Sequence, residues 1–117
     1  MKRIIVLVFM CMSMISFAQN KNAKANIEVD GVCLMCKKRI EKAAIKSKGV
    51  KSAVWNVKTH ELKLIFDERK TDLNAIQENI AAVGHDTKLL KAKDDVYNNI
   101  DPCCKYRDKE VVDAHEN

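Results

Sequence analysis

The sequence lacks the residue patterns of the common catalytic and phosphate-binding sites. Its 117 residues include three glycines and one proline, and no glycine-rich loop is present that could cradle a phosphate. It contains no Ser-His-Asp set and no paired carboxylates placed for acid–base chemistry. Aromatic residues make up 5% of the chain, and no basic stripe alternates with them, so nucleic-acid binding has no support. These absences favour a binding function over catalysis.

Only one long apolar run occurs, at the N-terminus, and it predicts an export signal. Two basic residues precede an apolar stretch that ends near Ile15, which is too short for a stable membrane anchor. Ser16 and Ala18 place small residues before a cleavage site that precedes Gln19. We therefore expect residues 1–18 to be removed as a signal peptide in preference to remaining as an uncleaved anchor. The mature protein is then periplasmic or secreted, without a membrane anchor.

Four cysteines remain after this cleavage, and their spacing is more informative than their number. Cys33 and Cys36 precede a basic run with helix-forming residues, whereas Cys103 and Cys104 are adjacent near the C-terminus. An even count in an exported chain ordinarily suggests disulfides. Adjacent cysteines close only a strained ring, so the second pair could instead form a second thiolate pair, bridge to the first pair, or complete a four-sulfur site with it.

The apolar pattern predicts one small α+β domain. The predicted elements, in chain order, are a strand at 25–32, a helix from Cys36 to Ser47, strands at 50–57 and 62–67, a helix from Leu73 to Val83, and a short strand at 85–90. This β-α-β-β-α-β order over residues 25–91 is the ferredoxin-like arrangement, with two helices on one four-stranded antiparallel sheet. The predicted core is formed by the apolar faces of these elements, which comprise Ile27, Val29, Ile40, Ala43, Ala44, Ala53, Trp55, Val57, Leu62, Leu64, Phe66, Leu73, Ile76, Ile80 and Val83.

The segments on either side of this domain are polar. Residues 19–24 predict a linker, and residues 92–117 predict a C-terminal extension that carries Cys103 and Cys104. The part of the extension around these cysteines is expected to be ordered. The residues after Asp108 are expected to be loose, because chain ends of polar composition usually are.

On this framework Cys33 lies in the loop after the first strand and Cys36 in the first turn of the first helix. The two-residue gap lets both sulfurs converge on one point, and the helix N-terminus is expected to favour their thiolates. Two thiolates on a partly exposed loop suit a soft ion of low coordination number, such as Cu(I). Structural Zn(II) requires four ligands, which the domain alone does not offer.

The stretches GVCLMCKKRIEKA, GVKSAVWNV, LKLIFD and IQENIAAVGHD follow one another in a familiar order. Over residues 25–91 the chain resembles the heavy-metal-associated domain family of copper chaperones and ATPase metal-binding modules. The resemblance implies a ferredoxin-like fold and metal transfer through Cys33 and Cys36, without catalysis. The chain also resembles, more loosely, small secreted proteins that pair such a domain with a C-terminal Cys-Cys-x-Tyr element, here beginning at Cys103 and Cys104.

Three residues near the cysteines depart from the family pattern or add to it. Gly31 stands where the family usually has a methionine that packs under the loop. Met35 is expected to cover the site or contact a partner more than to ligate a metal. His85 lies in a loop beside the CxxC loop, where the family commonly has Tyr, Lys or Phe. It could be a third ligand, a hydrogen-bond partner of a thiolate, or a solvated residue.

Three functions fit these expectations. The first is an exported carrier that holds Cu(I) between Cys33 and Cys36 and transfers it to a partner protein. The second uses the same site to scavenge Hg(II), Cd(II) or Zn(II). The third is a thiol–disulfide oxidoreductase, although such motifs usually belong to a larger thioredoxin-like unit.

The first helix is strongly basic. Such a face is usually only solvated, but beside a metal loop it could also steer docking onto an acidic face of a transfer partner. The residues concerned are Lys37, Lys38, Arg39, Lys42, Lys46 and Lys48.

Overall fold

In the computed structural model, residues 19–116 are described, and they form a sheet covered by helices. In chain order the elements are β1 (Ala23–Glu28), α1 (Leu34–Lys46), β2 (Val50–Trp55), β3 (Glu61–Phe66), α2 (Leu73–Ala82), α3 (Asp94–Asn98), a 3-10 turn (Pro102–Cys104) and α4 (Lys109–Glu116). The predicted signal peptide lies outside the described residues. Between residues 19 and 116, no helix has the length and apolar character needed to cross a membrane.

The sheet has the order β1-β3-β2, with β3 in the centre and both pairings antiparallel. Leu62, Leu64 and Phe66 alternate along β3 and are buried, so this strand presents one apolar face to the helices. Ile40 of α1 and Ile80 of α2 belong to the same buried cluster. Ten of the fifteen predicted core residues are buried, so the spacing of apolar residues identified the buried faces. The other five are partly exposed and pack against the cluster, namely Ile27, Ala53, Val57, Leu73 and Val83.

The two long helices begin differently. Asp72 caps α2 in the usual way, because its carboxylate accepts a hydrogen bond of 2.8 Å from the Ala75 N–H. Cys33 occupies the equivalent position of α1 in an extended conformation, but its side chain makes no capping hydrogen bond. The N-terminus of α1 therefore leaves the Cys33 sulfur available for other contacts.

The predicted fourth strand at 85–90 is wrong. Within the described residues, it is reduced to a single antiparallel bridge between Val29 and Thr87 at the outer edge of β1. The Thr87 N–H donates to the Leu90 carbonyl at 2.7 Å, so the chain turns here instead of extending along the sheet. The sheet therefore has three strands where four are predicted, and the ferredoxin-like arrangement is seen only as far as α2.

Two predicted segments are also more ordered than expected. The linker predicted at 19–24 is wrong for its last two residues, because Ala23 and Lys24 already pair with β3. The C-terminal residues, predicted to be loose, form α4 instead. Val111 and Val112 are half-buried against the core and give this helix a small apolar face.

Candidate metal centre

Cys33 and Cys36 lie at the N-terminus of α1 with their sulfurs 3.3 Å apart. The Cys33 carbonyl accepts a hydrogen bond of 3.0 Å from the Lys37 N–H, which fixes the first turn. Cys36 is fully buried, whereas Cys33 is partly exposed. The two sulfurs thus converge, as the two-residue spacing predicts.

The loop that carries Cys33 rests on the indole ring of Trp55. A β-carbon at Gly31 would lie 3.0 Å from two carbons of this ring and 3.1 Å from the β-carbon of Cys36. The ring itself is fixed, because Trp55 is buried and its Nε1 donates to the Val29 carbonyl at 2.9 Å. Gly31, which stands where the family usually has a methionine, therefore leaves room for the Trp55 ring beneath the loop.

The C-terminal extension brings two more sulfurs to the same place. Cys104, in the 3-10 turn, is fully buried, and its sulfur lies 3.1 Å from that of Cys33. Cys103 is exposed, and its sulfur lies 4.0 Å from that of Cys104 and 3.6 Å from the Met35 Sδ. The sulfurs of Cys33, Cys103 and Cys104 all lie within 4.8 Å of one another. All four cysteines of the described chain are free thiols, gathered in one cluster.

Burial and hydrogen bonding affect these thiols unequally. Burial opposes ionisation of Cys33, but interactions with the Cys104 thiol, with Cys36 and with the backbone of Met35 lower its pKa below the usual value. Burial raises the pKa of Cys36 and, together with hydrogen bonds to the other thiols, raises that of Cys104 to about 12. At Cys36, burial therefore outweighs the backbone N–H groups that lower the pKa in the metal-free site. Cys33 ionises first, and a soft metal must displace the other protons.

Arg39 connects this cluster to the extension. Its guanidinium donates to the Asp101 carboxylate at 2.8 Å and to the Nε2 of His85 at 3.2 Å. It also faces the sulfur of Cys104, whose thiolate its positive charge favours. The sequence pattern placed Arg39 only on a basic surface, although its position three residues after Cys36 puts both on one side of α1.

His85 lies behind Arg39, and both of its ring nitrogens are engaged. Its Nε2 accepts from Arg39, so its Nδ1 carries the proton and donates to the Asp30 carbonyl at 2.8 Å. Burial, aided by the charge of Arg39, lowers the pKa of His85 to about 4, so the ring is neutral. The solvated alternative for His85 is wrong, because the residue is fully buried. A direct ligand role would require Arg39 to move away.

Tyr106 and Arg107 fasten the extension to the loop after α2. The Tyr106 hydroxyl donates to the Gly84 carbonyl at 2.7 Å and accepts from the Asp86 N–H at 2.9 Å. Arg107 binds the Asp86 carboxylate through two hydrogen bonds of 2.7 and 3.0 Å. No sequence motif identified Arg107 as part of the site. For Tyr106, the only indication was the Cys-Cys-x-Tyr spacing. Together they hold the chain that carries Cys104 against the domain.

The surface beside the cysteines has an apolar centre, and basic side chains follow it along α1. Leu34 and Met35, between the two cysteines, are 66% and 48% exposed, which is unusual for large apolar side chains. Lys37 is turned away, because its ammonium binds Glu41 at 2.6 Å. Lys38 and Lys42 are exposed on the following turns of α1, and Lys46 and Lys48 are exposed at and beyond its other end.

Comparison with known proteins places this arrangement in a family. The family model for the heavy-metal-associated domain matches residues 26–86. Over 73 residues the chain is 32% identical to a copper-exporting P-type ATPase of Staphylococcus haemolyticus strain JCSC1435. The match covers 62% of this chain but 9% of that protein, so the chain corresponds to a small part of the ATPase.

Two solved structures share the fold. The CopZ metallochaperone is 26% identical, with a TM-score of 0.54, over 56% of this chain and 98% of that protein. The N-terminal domain of a potential copper-translocating P-type ATPase from Bacillus subtilis, solved in its Cu(I)-loaded state, is also 26% identical, with a TM-score of 0.55, over 62% and 92%. The family match ends at residue 86, so Cys103 and Cys104 lie outside it. On the agreement of fold, cysteine placement and match, the chain belongs to the heavy-metal-associated domain family.

Proposed function

We propose that this protein is an exported, non-enzymatic carrier that binds Cu(I) between Cys33 and Cys36 and transfers it to a partner protein. The observation that carries the proposal is the pair of sulfurs 3.3 Å apart at the start of α1. Soft thiolates select Cu(I), and a site with few ligands can exchange its ion. The relatives named for copper export and metallochaperone activity support this choice of ion and role.

The two cysteines differ in a way that suits transfer. Cys33 is partly exposed and is the thiol with the lowered pKa, whereas Cys36 is buried. Cu(I) therefore enters and leaves on the Cys33 side, where an incoming thiolate of the partner replaces one sulfur at a time. The ion is cargo, and it keeps its oxidation state throughout the exchange.

The surface around the site supplies a docking face for the partner. Leu34 and Met35 form an exposed apolar centre beside the sulfurs. Lys38 and Lys42 are exposed on α1 one and two turns after Leu34, so an acidic partner face fits best. We propose that apolar contact holds the partner over Cys33 while opposite charge orients it.

Titration of the exported form, residues 19–117, with Cu(I) in anaerobic reducing buffer tests this function. A competing chromophoric chelator reports the affinity. We expect one tightly bound ion per chain, with affinity reduced roughly a hundredfold or more in Cys33→Ser and Cys36→Ser, since even groups behind a ligand matter tenfold to a hundredfold. Met35→Leu, in the same loop, is the matched control and keeps the affinity. Unchanged binding in the double cysteine variant would contradict the proposal.

A scavenger of Hg(II), Cd(II) or Zn(II) is the second candidate. The observation that favours it is the cluster of four cysteine thiols, because Zn(II) and Cd(II) accept more sulfur ligands than Cu(I) requires. Competition among the four ions on the wild-type chain distinguishes the two functions. The carrier proposal expects Cu(I) to displace Zn(II) and Cd(II) at equal concentration, and the scavenger function expects the reverse.

A further inference from the structure

We propose that Cys104 is a third metal ligand, which the C-terminal extension supplies to the ion held by Cys33 and Cys36. The inference rests on the proposed function, because it assumes that the ion binds at these two cysteines. It concerns a part of the chain beyond residue 86, where the family match ends. The third sulfur is therefore a feature of this chain and its extension.

The geometry places the Cys104 sulfur in the site and not merely near it. It lies 3.1 Å from the Cys33 sulfur, which is as close as the 3.3 Å between Cys33 and Cys36. The Cys104 thiol also interacts with that of Cys36, so it is within reach of both cysteines of the pair. Cys104 is completely buried, so its sulfur faces the cluster and not the solvent.

The extension holds this sulfur in place from both sides. Before Cys104, Asp101 is tied to Arg39 by an ion pair of 2.8 Å. After it, the Tyr106 hydroxyl is bonded to the Gly84 carbonyl at 2.7 Å. The turn between them is closed, because the Cys104 N–H donates to the Asp101 carbonyl at 2.8 Å. A ligand held in this way loses little conformational entropy when the metal binds.

Charge balance also favours three thiolates. Cu(I) with three thiolates carries two negative charges, which are costly to bury unless cations or dipoles offset them. Arg39 faces Cys104, and Cys33 and Cys36 lie at the N-terminus of α1, the positive end of its dipole. Binding breaks the remaining S–H bonds, forms S–Cu bonds and releases the protons to solvent, with no electron transferred.

Cys103 offers a matched comparison within the same turn. It is adjacent in sequence and equally able to ligate, but it is exposed, and its sulfur lies 4.0 Å from that of Cys104. Its thiol donates to the Met35 Sδ at 3.6 Å, on the outer side of the cluster. We therefore assign the third ligand to Cys104 and leave Cys103 outside the coordination shell.

X-ray absorption spectroscopy of the Cu(I)-loaded chain, residues 19–117, measures the number of sulfur ligands. We expect three sulfurs in the wild type and in Cys103→Ser, and two in Cys104→Ser. In chelator competition, Cys104→Ser should bind Cu(I) roughly tenfold more weakly or worse, while Cys103→Ser binds as the wild type does. Circular dichroism of each metal-free variant checks that it folds.

Two results would overturn the inference. One is a wild-type spectrum with only two sulfurs, which needs no substitution and so does not depend on how the variants fold. The other is loss of the third sulfur in Cys103→Ser with its retention in Cys104→Ser. If Cys33→Ser loses the ion while Cys104→Ser binds as the wild type does, the carrier function stands and the third ligand does not. If Cys33→Ser and Cys36→Ser bind normally, the carrier function itself fails.

Discussion

At the scale of single residues, His85 shows how a buried neutral ring can hold a charged one in position. Arg39 donates to its Nε2, and the Tyr106 ring stacks on it with centroids 5.4 Å apart. The nearby acidic residues are Asp86 and Asp30. The backbone carbonyl of Asp30 accepts a hydrogen bond from the His85 Nδ1. Protonation of Nε2 would place a second positive charge against Arg39 and abolish their hydrogen bond. Proton binding to His85 is therefore linked to unfolding.

We expect the reduced, metal-free protein to lose stability as the pH falls. The pKa of His85 is lowered from 6.5 to about 4 in the fold, so the unfolded chain binds the proton more readily. Stability is then complete above the unfolded value and is lost progressively toward the folded value. Urea unfolding should show a loss on the order of 2 kcal/mol between about pH 7 and about pH 4.5.

His85→Asn is the control for this prediction. Its amide can still donate toward the Asp30 carbonyl but does not titrate. The loss of stability should be much smaller in this variant. The raised pKa of Asp30, caused by burial and by Asp86, acts in the opposite direction in both proteins and cancels in the comparison. An equal loss in the two proteins would assign the pH dependence to other groups.

At the scale of the elements, the spacing of apolar residues predicted the strands and helices that depend mainly on nearby residues. The first three strands and the helices α1 and α2 follow from apolar spacing, whereas α3 and α4 were not predicted. The last strand did not form, because the segment around Asp86 is bonded to Tyr106 and Arg107, some twenty residues further along. The same long-range docking brings Cys104 to Cys33. The CxxC motif was therefore readable in the sequence, whereas the choice among the uses of the second cysteine pair was not.

The anchoring of the extension can be tested with Tyr106→Phe. The change leaves the buried Gly84 carbonyl and Asp86 N–H without the hydroxyl that joins them, which costs about 1–3 kcal/mol. Cys104 should then react faster with iodoacetamide, as followed by mass spectrometry of the modified peptides. Cys103 is exposed in either case and serves as the internal control. An unchanged rate at Cys104 would show that the hydroxyl does not hold the extension closed.

At the scale of the whole molecule, charge is distributed unevenly around the site. Residues 19–117 carry 19 lysines and arginines against 16 acidic residues, a formal charge of +3, and the exposed Lys38 and Lys42 follow the apolar centre at Leu34 and Met35 along α1. Such a field raises the rate of encounter with an acidic partner, and salt weakens it. The expected partner face is therefore acidic, with an apolar patch at its centre.

Reversal of this charge should slow metal transfer. In the double variant Lys38→Glu and Lys42→Glu, we expect Cu(I) transfer to an acidic heavy-metal-associated domain to slow roughly tenfold or more at low salt. The difference should shrink as salt is added. The control is Lys24→Glu with Lys63→Glu, which makes the same change in net charge on β1 and β3. Equal rates in the two double variants would remove the basic face of α1 from the docking model.

The attachment of the extension on both sides of Cys104 has a kinetic consequence. In the proposed three-sulfur site a partner can replace the Cys33 sulfur directly, but release of Cys104 requires the ion pair between Arg39 and Asp101, and the contact of Tyr106 with Gly84, to open. At high partner concentration, the rate of transfer no longer depends on that concentration. It equals the rate at which the extension opens. The opening rate of the extension would then set how long each ion stays bound. During that time the ion would be protected from other chelators.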